Sequence, residues 1–219
     1  MRALLPLLLF AAAPAMADPT LPLVVRGNEP FWSLTLTSDG TTYTDAEGTT
    51  LQGPAAPPVT DKGAWLYETP AGLLTVTGEP CRDSMSGMPY PYTATLDRDG
   101  QPLPACAGDP AALLAGDWTA TELGGAALPP EVTVTLSFAD GRIAGNSGCN
   151  RFTGSFALTG EGLSIGPVAA TKMACPPPMM ETEQAVFAAF SAITAFDIAP
   201  DGTLLLAAPD GTALLKATK

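Results

Sequence analysis

Glycine and proline interrupt this chain so often that long regular segments are excluded. Twenty-two glycines and twenty-three prolines are spread over its 219 residues, and both residue types tend to end helices and strands. The segments between them are short, which favours β-strands over long helices. Hydrophobic residues make up 46% and charged residues 15% of the chain, which is typical of a folded protein with a core. The composition therefore predicts a mainly β protein.

Two small domains are predicted, separated by a stretch rich in proline, glycine and small residues at positions 103–110. Each side of this stretch has its own pair of cysteines and its own tryptophan near the start. Residues 18–107 show no helical periodicity and alternate apolar and polar side chains in four main segments: 31–37, 64–69, 73–77 and 90–96. We expect this half to be an all-β barrel or sandwich, and we expect a core position for all three tryptophans, Trp32, Trp65 and Trp118.

Residues 108–219 are predicted to form a curved antiparallel sheet with one α-helix packed across it. Strand patterns occur in six segments: 117–122, 131–138, 152–158, 163–166, 203–207 and 212–217.

The helix is predicted from Met179 to Ala195. Its apolar residues fall on one stripe, at Val186, Phe187, Phe190 and Ile193. The first turn of this predicted helix contains Glu181 and Glu183, where carboxylates favour the positive end of the helix dipole.

Residues 1–17 have the pattern of a secretory signal peptide. Arg2 is followed by an apolar run and then by small residues at positions 15 and 17. This arrangement predicts cleavage after Ala17 and export to the periplasm. The alternative is an uncleaved anchor, which needs roughly 20 apolar residues, whereas this run is shorter and contains Pro6. We expect an exported chain that does not span a membrane.

The four cysteines of an exported chain are first interpreted as a disulfide framework. Three pairings are possible; the sequential one joins Cys81 to Cys106 and Cys149 to Cys175, and it keeps each bond within its own half. A Cys₄ zinc site is the alternative, but its cysteines usually lie about two to four residues apart, and these lie much farther apart. We expect two disulfides and no free thiol.

The absence of histidine removes several catalytic and metal-binding arrangements at once. With no His in the chain, a Ser-His-Asp triad, a Cys-His dyad and His-ligated zinc or haem are excluded. Carboxylate pairs such as Glu181 with Glu183, or Asp97 with Asp99, are interpreted as solvated charges rather than as glycosidase acids. The protein is expected to be no enzyme and to need no cofactor.

The excess of acidic residues restricts the kinds of molecule that the protein can bind. Twenty-two acidic residues against ten basic ones give a formal net charge of −12, which argues against nucleic acid because phosphate binding needs clustered Lys and Arg. The same charge permits binding to a basic envelope or secreted protein. The sequence makes no prediction of the oligomeric state.

The second domain contains a glycine- and asparagine-rich run, Gly145-Asn146-Ser147-Gly148-Cys149-Asn150-Arg151-Phe152, followed by Gly154. Further matching pieces are Gly116-x-Trp118, the segment Thr-Lys-Met-Ala-Cys at 171–175, and Glu183 with Phe187. Together these pieces resemble the META domain, the HslJ-like family. The resemblance implies a bacterial envelope protein linked to heat shock and to tolerance of the antibiotic novobiocin, without an established catalytic activity.

The first domain carries two motifs of its own, Gly27-Asn28-Glu29-Pro30-Phe31-Trp32 and the run from Cys81 to Tyr90. They resemble an uncharacterised exported β-domain family that is often found ahead of META domains. The domain is also distantly similar to the small β-barrels that inhibit lysozyme in the periplasm, although it has no matching inhibitory motif.

Two interpretations of the META-like run remain open. Its glycines and asparagines suit a turn that positions Cys149 for its disulfide. The same run is also a candidate surface site, formed by Gly145, Asn146, Ser147, Gly148, Asn150 and Arg151.

A pair of methionines is a weak candidate for copper. Thioethers are soft ligands for Cu(I), and Met85 and Met88 lie three residues apart. Methionine is also an ordinary filler of protein cores, so no metal is predicted.

The function expected from these patterns is an exported, non-enzymatic envelope protein with a binding or stress-tolerance role. The alternative is a periplasmic inhibitor of a hydrolase such as lysozyme or a protease, which would need a loop that enters an active site.

Overall fold

The computed structural model describes residues 18–219, and their fold is mainly β, as predicted. The predicted signal peptide at 1–17 lies outside the described residues. Two large antiparallel sheets and one short hairpin hold most of the described chain. Within residues 18–219, no helix has the length and apolar character needed to cross a membrane.

The first sheet is a curled half-barrel of nine strands. The first half contains the strands β1 (Leu23–Asn28), β2 (Phe31–Leu36), β3 (Thr41–Asp45), β4 (Thr50–Gly53), β5 (Val59–Asp61), β6 (Ala64–Thr69), β7 (Gly72–Thr77), β8 (Cys81–Arg82), β9 (Pro89–Tyr90), β10 (Tyr92–Arg98) and β11 (Gln101–Ala107). Strands β8 and β9 form a short separate hairpin, and the other nine form the sheet. The order across the sheet is β4-β3-β2-β1-β11-β10-β7-β6-β5, so β4 and β5 are its edges.

The alternating apolar residues of these strands form one core on the inner face of the sheet. Trp32 and Trp65 are buried in it, as predicted, together with Tyr43 and Tyr67. Trp32 stacks on Tyr43, with ring centroids 6.1 Å apart.

The stretch predicted to separate the domains begins inside this sheet. Residues 103–107 belong to β11, which lies between β1 and β10. The chain leaves the sheet only after Ala107 and enters the second half through Gly108, whose φ of +94° is in the region that favours glycine. The connection is therefore shorter than its composition indicates.

The second half is a nearly closed barrel with a helix across it, which agrees with the predicted curved sheet and single long helix. Its elements are α1 (Ala111–Leu114), β12 (Gly116–Leu123), β13 (Ala126–Ala127), β14 (Val134–Ala139), β15 (Arg142–Ser147), β16 (Arg151–Thr159), β17 (Gly162–Ile165), β18 (Ala169–Ala170), α2 (Pro177–Ala192), β19 (Ala195–Ile198), β20 (Leu204–Ala207) and β21 (Ala213–Thr218).

The two edges of this second sheet nearly meet. Its order is β17-β16-β15-β14-β12-β21-β20-β19, with β13 beside β12 and β18 beside β16. Next to the gap between β17 and β19, the Leu163 N–H donates a hydrogen bond to the carbonyl of Thr194 at 2.9 Å. Trp118 is buried in the core that the barrel encloses, as predicted.

The helix α2 starts and ends earlier than predicted, because it runs from Pro177 to Ala192 and Ala195 already belongs to β19. Pro177 and Pro178 are its first residues, because a proline at the start of a helix lacks only an N–H that has no partner there in any case. Glu181 and Glu183 are consequently in the second turn, and the first turn contains no acidic residue. The expected contact of these carboxylates with the positive end of the dipole is wrong.

Both predicted disulfides are present. Cys81 is bonded to Cys106 and Cys149 to Cys175. Among residues 18–219 no cysteine is free, and each bond joins segments of its own half.

Candidate functional site

The META-like run forms the tight turn between β15 and β16. The Ser147 N–H donates to the Asn150 carbonyl at 2.9 Å, which closes the turn. Gly148 has a φ of +103°, a conformation that other residues rarely adopt, and its N–H donates to the Asn146 side chain at 2.8 Å. At Gly145, a Cβ atom would lie 1.9 Å from the carbonyl oxygen of Thr135. These glycines are required by the path of the backbone.

A buried network links this turn to the helix. Ser147 and Asn150 are 0% and 1% exposed. The Ser147 hydroxyl donates to Glu183 Oε2 at 2.6 Å, and the Asn150 N–H donates to the same oxygen at 3.0 Å. Asn150 Nδ2 donates to Glu183 Oε1 at 3.1 Å. Both carboxylate oxygens of Glu183 are thus used in fixing α2 against the turn.

The Asn150 side chain also holds the segment that leads to Cys175. Its Oδ1 accepts hydrogen bonds from the Thr171 hydroxyl at 2.7 Å and from the Met173 N–H at 2.8 Å. The Cys149–Cys175 disulfide joins the same two segments covalently. The turn, the segment and the helix are therefore one interlocked unit. The turn places Cys149 for its disulfide, as the structural interpretation of the run predicts, and the contact with the helix is a further finding.

This burial corrects two expectations. Ser147 and Asn150 were candidates for a surface site, but they face the interior and their polar atoms are occupied within the domain. Arg151 is exposed, while Gly145, Asn146 and Gly148 are half-buried. The interpretation of Glu183 as a solvated charge is wrong as well, because its partners lie 33 and 36 residues earlier in the chain. No local pattern around Glu183 signals this contact.

The two motifs of the first domain, by contrast, meet at the surface. Asn28 Nδ2 donates to Asp83 Oδ2 at 2.8 Å and to the Ser84 hydroxyl at 3.0 Å, across 55 residues of sequence. Beside this contact, a groove of about 330 Å³ is lined by both motifs and by the Cys81–Cys106 disulfide.

Asp83 organises the loop that follows β8, which we call the Asp83 loop (residues 82–88). Its Oδ1 accepts hydrogen bonds from the Met85 N–H at 3.0 Å, the Ser86 N–H at 2.7 Å and the Ser86 hydroxyl at 2.9 Å. Burial opposes the charge, but the hydrogen bonds from Ser86, Asn28 and Met85 outweigh it and hold the pKa of Asp83 below its usual value. The Asp-x-x-Ser spacing is a sequence signal for this type of turn.

The Asp83 loop is fastened at both ends to the second domain. Arg82 Nη2 lies 2.8 Å from Asp197 Oδ2 on β19, and its Nε donates to the same carboxylate at 3.2 Å. At the other end, Met88 is 7% exposed and belongs to the core of the second domain, against which Tyr90 also packs. The loop therefore lies at the junction of the two domains and contacts the second domain at both of its ends.

Two large apolar side chains are exposed here, Met85 in the loop itself and Phe31 on the β1–β2 hairpin. Met85 is 79% exposed and Phe31 is 53% exposed. Phe31 pairs across the β1–β2 hairpin with Asn28, whose side chain bonds to Asp83. Exposed apolar side chains mark a binding site when they belong to one contiguous patch, so Phe31 and Met85 are candidates for contact with a partner.

The structure does not bring the two copper candidates to a common environment. Met85 is exposed to solvent, whereas Met88 is buried in the second domain. Among residues 18–219, no group of three or more His, Cys, Asp or Glu side chains has an arrangement that could hold a metal ion.

Comparison with known proteins identifies only the second half. The family model for the META domain matches residues 111–219. A solved structure, the NMR structure of a protein from Burkholderia xenovorans, is similar to 49% of this chain and 84% of its own, with 27% sequence identity and a TM-score of 0.41. No curated protein matches this chain.

Proposed function

Residues 111–219 of this chain are a META domain, and from that premise we propose that the protein is an exported, non-enzymatic component of the bacterial cell envelope that acts by binding another protein. The chain resembles a family whose members are linked to heat shock and to novobiocin tolerance, and this resemblance supports a role of the binding in stress tolerance.

The observation that carries the proposal is the ordered Asp83 loop. Asn28 and the Ser86 backbone donate hydrogen bonds to Asp83 and order the loop, Arg82 pairs with Asp197, and Met85 is exposed between them. A loop that is ordered before binding loses less conformational entropy when a partner docks, so more of the contact energy appears as affinity.

Export is supported by the two disulfides, because such bonds persist in oxidising compartments outside the cytoplasm. The signal-like pattern at residues 1–17 supports it from the sequence side.

The polar side chains of the META-like run are bonded within the domain, which supports a binding role rather than catalysis. The Ser147 hydroxyl donates to Glu183, and both Ser147 and Asn150 are buried. These side chains hold the domain together and do not converge on a substrate-sized cleft. The net charge of −12 favours a basic partner.

The test is affinity capture from periplasmic extract with the mature, disulfide-intact protein and two matched variants. Met85→Ser removes the exposed methionine of the loop, and Met173→Ser removes a methionine that is 57% exposed in the other domain. We expect one protein to be enriched near stoichiometry by the wild type and by Met173→Ser, and to be lost with Met85→Ser. Equal capture by all three proteins, or capture by none, would contradict the proposal.

A second candidate function, inhibition of a hydrolase, is favoured by the same rigid loop. Inhibitors of this kind present an ordered loop to the active site of their target. Purified lysozymes and periplasmic proteases should lose activity at one equivalent of the protein and regain it with Met85→Ser. Full activity of every hydrolase at a tenfold excess of the protein would exclude this alternative.

A further inference from the structure

A second recess in the first domain shares no lining residue with the groove at the Asp83 loop. It is a cavity of about 350 Å³, which is at the lower end of the range of about 300–1,000 Å³ for small-molecule sites. Leu36 of β2, Thr41 of β3 and Tyr67 of β6 line it, together with the segment 18–21 and the connection 55–58.

The cavity lies where the half-barrel fails to close. Strand β3 is next to the edge strand β4, and β6 is next to the opposite edge strand β5. Residues 54–58 connect these two edges. A molecule in the cavity would therefore contact β3 and β6, the strands next to the two edges, and the connection between those edges. The mouth of a β-barrel commonly binds its ligand in such a position.

One buried polar atom in the cavity lining has no partner in the described chain. Thr41 is 3% exposed, and its backbone pairs with Leu36 and Gly53 on the neighbouring strands. Its Oγ1 has no hydrogen-bond partner among residues 18–219. Every other buried side-chain nitrogen or oxygen in these residues has a partner. Buried polar groups almost always have a partner, and a hydrogen-bonding group on a ligand beside Thr41 would provide one.

The rest of the lining indicates what kind of molecule fits. Leu21, Leu36 and the Ala-Ala-Pro-Pro sequence at 55–58 supply an apolar wall. At the rim, the Asp18 carboxylate accepts a hydrogen bond from Trp65 Nε1 at 2.8 Å. Burial and the nearby Asp18 charge raise the pKa of Tyr67 to about 12, so the phenol stays protonated at neutral pH. The negative charge of Asp18 disfavours anions.

We propose that this cavity is a binding site for a small, largely apolar and uncharged molecule that carries one hydrogen-bonding group, which pairs with the Thr41 hydroxyl. The site is independent of the partner surface at the Asp83 loop, and a failure of either proposal leaves the other intact.

Two fluorescent probes with the same aromatic skeleton test the chemistry. N-phenyl-1-naphthylamine is uncharged and has one N–H, whereas 8-anilino-1-naphthalenesulfonate carries an additional sulfonate. The mature, disulfide-intact protein should bind the uncharged probe saturably, at least about tenfold more tightly than the anionic one. Absence of saturable binding of the uncharged probe would overturn the proposal, as would equal affinity for both.

Three variants locate the binding. Ala56→Trp places an indole from an exposed lining position into the cavity, and Ala185→Trp does the same in an apolar groove beside α2, as the matched control. Thr41→Val removes only the hydroxyl. We expect Ala56→Trp to abolish binding of the uncharged probe, Ala185→Trp to leave it unchanged, and Thr41→Val to weaken it by about three- to tenfold, the equivalent of one neutral hydrogen bond.

Binding that survives Ala56→Trp, or that Ala185→Trp abolishes, would place the probe elsewhere and overturn the assignment. Wild-type affinity in Thr41→Val would overturn it too, because the unpaired hydroxyl is the feature that distinguishes this cavity. Circular dichroism of each variant establishes that it is folded before the titration.

Discussion

At the scale of single residues, the polar side chains of the META domain act in a group. Glu183 accepts three hydrogen bonds from Ser147 and Asn150, and Asn150 in turn accepts two from residues 171 and 173. Hydrogen bonds to a charged acceptor are stronger than neutral ones. The removal of one member leaves buried donors without partners, which is the larger part of the loss in stability.

Glu183→Gln tests this group directly. The amide has one oxygen where the carboxylate has two, so an NH₂ group faces the Ser147 and Asn150 donors. We expect the free energy of unfolding to fall by about 2 kcal/mol in urea denaturation of the disulfide-intact protein. Glu181→Gln, at an exposed position on the same helix, is the control and should change it by no more than about 0.5 kcal/mol. Similar values for the two variants would contradict the structural role of Glu183.

At the scale of elements, the sequence predicts strands well where apolar and polar residues alternate. Residues 64–69 were predicted as a strand and form β6 with the same bounds. The long helix was recognised from its apolar stripe, although its proline start was not. Periodicity depends only on local spacing, so it is informative for elements that have one buried face.

The strand β11 could not be predicted in this way. It contains Pro102 and Pro104 and ends in the small residues Ala-Cys-Ala at 105–107, which together resemble a linker. In the structure, β1 pairs only with the last two residues of β11, so the part with the prolines has one neighbouring strand, β10. Proline is tolerated at such edge-like positions because no second strand needs its N–H. This arrangement depends on the lengths of other strands and has no local signal.

The contact between Asn28 and Asp83 was equally hidden. Each motif was identified in the sequence, but nothing in the sequence showed that they meet across 55 residues. The Asp83 turn itself has a recognisable spacing, and the position of the turn depends on β1, β8 and the second domain together.

The Asp83 loop should depend on pH in a predictable direction. Because the pKa of Asp83 is lowered in the folded protein, its contribution to stability is complete above the unfolded value of about 3.9 and is lost as the pH falls through the lower folded value. Asp83→Asn should therefore be less stable than the wild type at pH 7, and the difference in urea midpoint should shrink below about pH 4. Asp99→Asn, at an exposed turn, controls for the loss of one surface charge. A difference that stays constant between pH 7 and pH 3 would show that Asp83 acts without its charge.

At the scale of the whole molecule, the two domains share a core. Met88 extends from the β8–β9 hairpin of the first domain into the apolar interior of the second, while Arg82 and Asp197 form an ion pair at its edge. The ion pair is largely exposed and contributes about 0–1 kcal/mol. Burial of the methionine is the stronger connection.

Met88→Ala should reveal this connection. Truncation of a buried methionine to alanine costs about 2–5 kcal/mol, and in this position it also weakens the contact between the domains. We expect calorimetry to show a lower transition temperature and the separation of one transition into two. Met85→Ala, three residues earlier and exposed, should leave the thermogram unchanged. A single transition of unaltered temperature in Met88→Ala would mean that the domains are coupled by other contacts.

The shared core also imposes an order of events on biosynthesis. Ribosomes deliver the chain from its amino terminus, so the hairpin with Met88 and Tyr90 emerges well before the barrel that receives these side chains. During that interval two apolar side chains that the finished protein covers are open to water and to chaperones. The META domain follows the first domain in the chain, and its folding covers two side chains that the first domain would otherwise expose.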